Sequence, residues 1–309
     1  MLGRLRMDAD ECIQEFKGIS KKLFSGSRVF SRRWLDRKKY DTSLFEAECK
    51  RVIQSYPTWN DHTLPGDDSF FCPRGVCQTI VIVTRRSSKS QDVDSSYAFR
   101  TYQDSAVPKL AEYQGERSER TENIGEKPFK GLRIWHVARA ATAGPTYFKA
   151  MNIQGKDYID GGFMLNNPTV EIYGEVLAVN ERVETVVSIG TGTLRQSKAE
   201  FFKFGPLNFI SRLRTVKKLM GLSMDSESGH DAMRSLAKSN DTGYYRLNIP
   251  LDSKEWRLDS WRKRRERVFK HLEMVVDKHL GRPEVVEELQ ECASVLIERR
   301  RSRALNTLQ

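Results

Sequence analysis

The chain has 309 residues, of which 39% are apolar and 30% are charged, and its formal net charge is +11. A chain of this size and composition can bury one large core or two moderate ones, and the positive charge favours an anionic partner such as a phospholipid surface or a nucleic acid. A membrane-spanning protein is excluded, because the longest apolar run, residues 80–83, is far shorter than the about 20 residues that cross a bilayer.

The cysteines and histidines of the chain form no recognisable metal motif. The five cysteines, at positions 12, 49, 72, 77 and 292, are an odd and scattered set that predicts free thiols in a reducing compartment. Cys72 and Cys77 are the closest pair, but their spacing differs from that of a zinc knuckle, and the five histidines form no HExxH arrangement. The N-terminus has no apolar segment fit for a secretory signal. We therefore predict a cytoplasmic protein without a metal site.

Two amphipathic helices are predicted near the N-terminus. Apolar residues recur at a spacing of three or four over residues 9–24, and Asp8 with Glu11 forms a capping-box pattern at the start of this helix. Ser43 with Glu46 forms the same pattern at the start of the second helix.

Strands alternate with helices in the next part of the chain. Residues 78–86 are a short, β-branched run typical of a buried strand, and residues 97–103 alternate like a neighbouring strand. A helix is predicted within residues 132–148, ending at Gly144, and residues 184–193 have the pattern of another buried strand that runs into a glycine turn. This alternation predicts an α/β sheet covered by helices on both faces.

Helices dominate the C-terminal part of the sequence. Residues 206–222 combine an apolar face with several basic residues, so this segment is either a helix packed on the core or a basic helix lying on an anionic membrane. Residues 262–280 and 284–300 each carry two adjacent apolar columns and are separated by Gly281 and Pro283. Glycine after one helix and proline at the start of the next predict a helical hairpin.

The stretch YIDGGFMLNNP, residues 158–168, places an aspartate directly before two glycines. On local grounds it is an Asp-Gly hairpin turn, followed by a helix that Asn167 caps and Pro168 begins. Alternatively, the glycines let the backbone approach another segment closely and present Asp160 towards a cleft. Partial burial would raise the pKa of such an aspartate, so that it could accept the proton of a serine hydroxyl about 3 Å away. From the residues of this stretch alone, neither interpretation is preferred.

Three blocks, IWHVARAATAGPTYF, YIDGGFMLNNP and VVSIGTGT, resemble in sequence and in order the motifs of the patatin-like phospholipase family. The opening segment is similar to the helix that follows the nucleophile elbow of that family. The resemblance implies a three-layer α/β/α sandwich over residues 1–193 that lacks its N-terminal strands, followed by a mostly helical region with a basic hairpin at residues 194–309. It also implies that Asp160 is the catalytic proton acceptor, in an Asp-Gly-Gly motif completed by Gly161 and Gly162.

The same resemblance implies a function in lipid breakdown. The reaction would be ester hydrolysis in phospholipids or other acyl-ester lipids by a Ser-Asp dyad, with no metal and no other cofactor. An anionic membrane surface is the expected partner for peripheral association, because each basic residue near such a surface contributes about 1 kcal/mol.

The motif that holds the nucleophile of the family is absent from the sequence. No serine lies in a G-x-S-x-G elbow, and no G-G-x-x-G loop is present to supply an oxyanion hole. We therefore expect the chain to begin downstream of the elbow, as the result of a misplaced start codon, a fragment or a decayed copy. Without a nucleophile and at least one central strand, the chain alone is expected to be inactive and aggregation-prone.

Two further functions stay open on the sequence. The absent serine favours a non-catalytic interaction or regulatory module that keeps the fold. The basic runs at residues 261–267 and 298–303 are typical of solvated helix faces, and a nucleic-acid patch is the less expected alternative, because no reading motif accompanies them. Codons upstream of Met1 that encode the G-x-S-x-G elbow in the same reading frame would favour the hydrolase. Salt-sensitive binding of RNA or DNA would favour a nucleic-acid-binding protein.

Overall fold

A computed structural model of the chain describes residues 1–25, 40–56, 68–72, 77–86, 95–102, 131–145, 147–179, 182–194, 226–251 and 261–306. The predicted helix over residues 206–222 lies outside these ranges. The chain divides into two compact units. The first comprises Met1–Val183 and Phe204–Asp231, and the second comprises Glu184–Lys203 and Ala232–Gln309. The predicted domain boundary after residue 193 stays a prediction.

Three helices begin the first unit: α1 (Leu2–Leu5), α2 (Ala9–Ser25) and α3 (Thr42–Ser55). The predicted capping box of α2 is confirmed, because the Glu11 N–H donates to Asp8 Oδ1 at 2.7 Å and the Asp8 N–H donates to Glu11 Oε2 at 3.0 Å. The predicted cap of α3 at Ser43 is wrong. The cap is Asp41, whose carboxylate accepts hydrogen bonds from the N–H groups of Ser43 and Leu44.

The first unit contains a four-stranded antiparallel sheet in the order β2-β1-β4-β3. Its strands are β1 (Ile80–Arg86), β2 (Ser95–Arg100), β3 (Met151–Ile153) and β4 (Lys156–Asp160). The strands predicted at residues 78–86 and 97–103 are thus confirmed as β1 and β2. Strands β3 and β4 form a hairpin whose turn residues, Gln154 and Gly155, have φ angles of 50° and 80°. Positive φ at both central residues is what a type I′ hairpin turn requires.

Aromatic side chains form the centre of the core in the first unit. Tyr97 and Phe99 of β2 and Tyr158 of β4 are buried, and their ring centroids lie 5.1 to 5.3 Å apart. Helix α4 (Ile134–Ala141) adds Val137 and Ala140 to the same cluster. This helix ends just before Gly144, as the sequence predicts. The core therefore joins α4 to the strands that lead to Asp160.

A buried ion pair ties helix α5 (Thr169–Val179) to the end of β2. The Arg100 guanidinium donates to both carboxylate oxygens of Glu175, through Nε to Oε1 and through Nη2 to Oε2 at 2.8 Å. The Tyr102 hydroxyl donates to Glu175 Oε1 at 3.4 Å. Only 10% of the Arg100 side chain and 8% of the Glu175 side chain are exposed, so removing one charge of the pair is expected to be costly.

The second unit combines short parallel strand pairs with long helices. Strand β5 (Thr185–Ile189) pairs in parallel with β7 (Gly243–Leu247), and β6 (Thr193–Leu194) pairs in parallel with β8 (Pro250–Leu251). The strand predicted at residues 184–193 is confirmed as β5, but it forms a sheet separate from β1–β4. Helix α6 (Ser226–Ser239) begins within the range of the first unit.

Two consecutive helices end the chain, α7 (Trp261–Leu280) and α8 (Pro283–Asn306). The predicted helix break at Gly281 and the predicted start at Pro283 are confirmed. On α8, Cys292 is buried and Glu291 accepts a hydrogen bond from the Tyr245 hydroxyl of β7 at 3.1 Å. A mixed α/β class with a helical C-terminal region is therefore confirmed. No helix in the described part of the chain is both long enough and apolar enough to cross a bilayer.

Candidate active site

Asp160 is the last residue of β4 and is held by its backbone on two sides. Its N–H donates to the Ala143 carbonyl at 3.3 Å, and its own carbonyl accepts a hydrogen bond from Thr84 Oγ1 of β1 at 3.2 Å. Ala143 is fully buried in the turn that follows α4. The strand register places Asp160 opposite Val83. The first two sequence blocks of the family resemblance therefore meet at this residue.

The residues after Asp160 form a single 3₁₀ turn, Gly161–Phe163, and not a hairpin turn. Asp160 caps this turn, because its Oδ1 accepts the Gly162 N–H at 2.9 Å. The hairpin interpretation is therefore wrong: the chain reverses earlier, at Gln154 and Gly155. The capping interpretation of Asn167 holds, because Asn167 Oδ1 accepts the Thr169 N–H at the start of α5 at 3.4 Å.

The two carboxylate oxygens of Asp160 have different surroundings. Oδ1 is used by the 3₁₀ turn, whereas Oδ2 faces Gly144, where an added Cβ would lie 3.9 Å from it. Within the described ranges, the Gly162 N–H is the only group that donates to this carboxylate. Burial raises the pKa of Asp160, and the hydrogen bond from Gly162 offsets part of that rise. A half-buried carboxylate with one uncommitted oxygen is suited to accept a proton.

Gly161 is required by a close approach of two backbone segments. A Cβ at this position would lie 2.9 Å from the carbonyl carbon of Ile82 in β1, and closer still to its oxygen. Gly162 is less restricted, because its Cβ would lie 3.3 Å from Asp160 Oδ1. The expected close approach to another segment is thus present at Gly161, where the partner is the neighbouring strand β1, whereas Gly162 lies against side chains of its own turn.

Arg139 anchors the segment that faces the Asp160 carboxylate. Its side chain is fully buried between α3 and α4, and it donates to the Lys149 carbonyl at the far end of the turn that contains Gly144. Glu46 Oε1 lies 3.6 Å from Arg139 Nε. Sequence reasoning did not single out Arg139, because an arginine on an otherwise small and apolar helix face gives no sign that it is buried.

The remaining site predictions concern metals and a nucleophile. Within the described residues, no three His, Cys, Asp or Glu side chains come together as metal ligands. Cys72 is buried and Cys77 is exposed, and both are free thiols. In the same part of the chain, no serine hydroxyl bonds to the Asp160 carboxylate.

The raised pKa of Asp160 predicts a pH-dependent effect of Asp160→Asn on stability. A carboxyl whose folded-state pKa is raised binds its proton more tightly in the folded state, so it stabilises the fold below its unfolded pKa and loses that contribution as pH rises through the folded pKa. Asparagine does not titrate. We therefore expect the midpoint of thermal unfolding of Asp160→Asn, relative to the parent chain, to increase between about pH 4 and about pH 8. A difference that is constant across this range would contradict the raised pKa.

The chain is similar in sequence to known proteins. A family model described as patatin-like phospholipase matches residues 4–173, which is more than half of the chain. A Mus musculus protein named calcium-independent phospholipase A2-gamma is 24% identical over 271 residues, covering 84% of this chain and 31% of the mouse protein. A Rattus norvegicus protein named 85/88 kDa calcium-independent phospholipase A2 is 30% identical over 141 residues, covering 39% of this chain and 17% of the rat protein.

A third relative is a Caenorhabditis elegans protein named intracellular phospholipase A2, which is 26% identical over 139 residues, or 40% of this chain and 13% of the relative. The chain thus spans less than a third of the length of each of these curated relatives. The matched range contains Asp160, Gly161 and Gly162, together with β1 to β4 and the turn around Gly144. On this evidence, the chain belongs to the patatin-like phospholipase family.

Proposed function

We propose that the chain carries the proton acceptor of a lipid acyl-ester hydrolase, and that its nucleophilic serine is not among these 309 residues. Asp160 takes the proton of the serine hydroxyl as the serine oxygen attacks the ester carbonyl. Asp160 returns this proton to the departing alkoxide, so that the alcohol part of the lipid leaves and an acyl-enzyme forms. Asp160 then activates a water molecule, which releases the fatty acid and regenerates the serine. This chemistry requires neither a metal nor another cofactor.

One observation carries the proposal. The Asp160 carboxylate is half-buried, and among the residues that the structure describes only the Gly162 N–H donates to it, at one of its two oxygens. Burial raises the pKa of this carboxyl and so makes its carboxylate a stronger base, with a pKa closer to neutral pH, as general-base catalysis requires. The second oxygen faces Gly144, a position without a side chain. A hydroxyl group could therefore approach this oxygen without meeting a side chain at position 144.

Phospholipids are the proposed substrates. The relatives reported above are named phospholipases A2, and the net charge of +11 favours association with an anionic lipid surface. The protein would then act from the cytoplasm as a peripheral protein at membranes. The ester position and the lipid class are open to the assay below.

A non-catalytic module is the second candidate function. It is favoured by the absence of a G-x-S-x-G elbow and of a G-G-x-x-G loop from the sequence. Such a module would keep the Asp160 turn as a structural element, since Asp160 caps the 3₁₀ turn whether or not it accepts a proton.

The codons upstream of Met1 distinguish the two candidate functions. Where these codons extend the reading frame through both missing motifs, the longer product is expected to hydrolyse phospholipid in vesicles. Asp160→Asn should reduce that rate by about 10²- to 10⁴-fold, which is the usual contribution of a positioned base. Asp157→Asn is the matched control, because Asp157 lies on the same strand but is exposed. An upstream stop codon without either motif, or equal rates for both variants, would count against the hydrolase.

A further inference from the structure

We propose that Asn167 is a positioning residue that fastens the Asp160 turn, residues 160–167, to the first turn of α6. Asn167 Nδ2 donates to the Ser226 carbonyl at 2.9 Å, across a separation of 59 residues. Its Oδ1 accepts hydrogen bonds from both the N–H and the hydroxyl of Thr169. One side chain thus joins the end of the Asp160 turn, the start of α5 and the start of α6.

Gly229 shows that the same joint is also closely packed. A Cβ at this position would lie 3.0 Å from the Asn167 carbonyl oxygen and 3.3 Å from both Cβ and Nδ2 of Asn167. The glycine of α6 therefore lies directly against the backbone and the side chain of Asn167. A hydrogen bond at Ser226 and a close approach at Gly229 together place the first turn of α6 on this residue.

Hydrogen bonds close the chain between Asp160 and Leu165, and only Asn166 separates this closed turn from Asn167. The N–H groups of Met164 and Leu165 both donate to the Gly161 carbonyl, at 3.0 Å and 2.9 Å. The next residue of that turn, Gly162, holds Asp160 Oδ1 through its N–H. Because these hydrogen bonds restrict the turn, a displacement of Asn167 also displaces Gly162. The orientation of the Asp160 carboxylate, which Gly162 holds, then changes.

The joint makes a distant segment of the sequence part of the Asp160 region. The three residues that bind Asn167, or lie against it, come from two places: Thr169 at the start of α5, and Ser226 and Gly229 at the start of α6. A catalytic consequence for Asp160 rests on the proposed function, whereas the positioning of the turn does not.

The experiment is amide hydrogen exchange on the 309-residue chain, with Asn167→Ala and Gly229→Ala as the test variants. Gly18→Ala and Gly174→Ala are matched controls, because both glycines lie inside helices and an added Cβ would meet nothing within 4 Å. Loss of the joint should speed exchange in residues 160–168 by about fivefold or more, since a local opening then breaks one hydrogen bond fewer. Exchange in β1 and β2 should not change.

A second readout separates positioning from a general loss of structure. In both test variants, the carboxyl carbon of Asp160 should titrate with a pKa closer to its ordinary value, because a looser turn admits water. The control variants should retain the parent pKa. Unchanged exchange at residues 160–168, or an equal rise throughout the first unit, would overturn the inference. Neither readout measures catalysis, so an inactive longer product would refute the proposed function and leave this result intact.

Discussion

Replacing Gly161 by alanine is expected to destabilise the first unit by about 3 kcal/mol, the upper part of the range for overpacking. The added methyl group would lie 2.9 Å from the carbonyl carbon of Ile82 and closer to the oxygen. Backbone atoms cannot rotate away as the end of a flexible side chain can. The strain must therefore be relieved by separating β1 from the end of β4, which would also move Asp160.

Chemical denaturation followed by circular dichroism measures this effect. Gly162→Ala is the neighbouring comparison, because its methyl group would lie 3.3 Å from Asp160 Oδ1 and a small shift relieves the contact. Gly18→Ala is the control without a clash, because its methyl group would lie in open space inside α2, where the higher helix propensity of alanine should raise stability by about 1 kcal/mol or less. We expect the order of loss to be Gly161→Ala, then Gly162→Ala, then Gly18→Ala. A midpoint for Gly161→Ala equal to that of Gly18→Ala would show that the close approach is absent in solution.

Glu175→Ala is expected to cost about 3–5 kcal/mol of unfolding free energy, because it removes the buried carboxylate that pairs with the Arg100 guanidinium through two hydrogen bonds. The pair is bidentate, and its side chains are only 10% and 8% exposed. Asp68→Ala is the matched control: it removes a pair with Arg133, whose side chain is 58% exposed. Exposed pairs of this kind contribute about 1 kcal/mol or less.

A double variant tests the physical reason for that loss. Replacing Arg100 by methionine together with Glu175→Leu removes both charges at once, so most of the stability should return. A double variant as unstable as Glu175→Ala alone would mean that lost packing, and not the removal of one charge of the pair, causes the loss of stability. Losses of similar size for Glu175→Ala and Asp68→Ala would contradict the burial of the pair.

Local sequence patterns predicted the elements well where neighbouring residues decide the structure. The capping box of Asp8 and Glu11 is confirmed, since both partners lie within one helical turn. The breaks at Gly144 and Gly281 are confirmed for the same reason. The cap of α3 was misassigned, because Asp41 and Ser43 both fit a cap by residue type and only the observed bonds choose Asp41.

Contacts between distant residues could not be predicted in this way. The antiparallel pairing of β4 with β1 depends on segments more than 70 residues apart, and no spacing in the sequence encodes it. The bonds of Asp160 to Ala143 and Thr84 use backbone atoms or a common hydroxyl, so residue types give no signal. The joint of Asn167 with Ser226 is hidden for the same reason. The Asp-Gly-Gly motif could be found only through its resemblance to a family.

We propose that these residues hold the proton acceptor of a lipid hydrolase without its nucleophile. The most direct measurement is phospholipid and simple ester hydrolysis by the purified 309-residue chain, with Asp160→Asn assayed beside it. We predict that both proteins release no more fatty acid than buffer does, and that neither is labelled by a serine-reactive fluorophosphonate. Robust hydrolysis by the parent chain that disappears in Asp160→Asn, with one serine labelled, would show that the site is complete and would contradict the account.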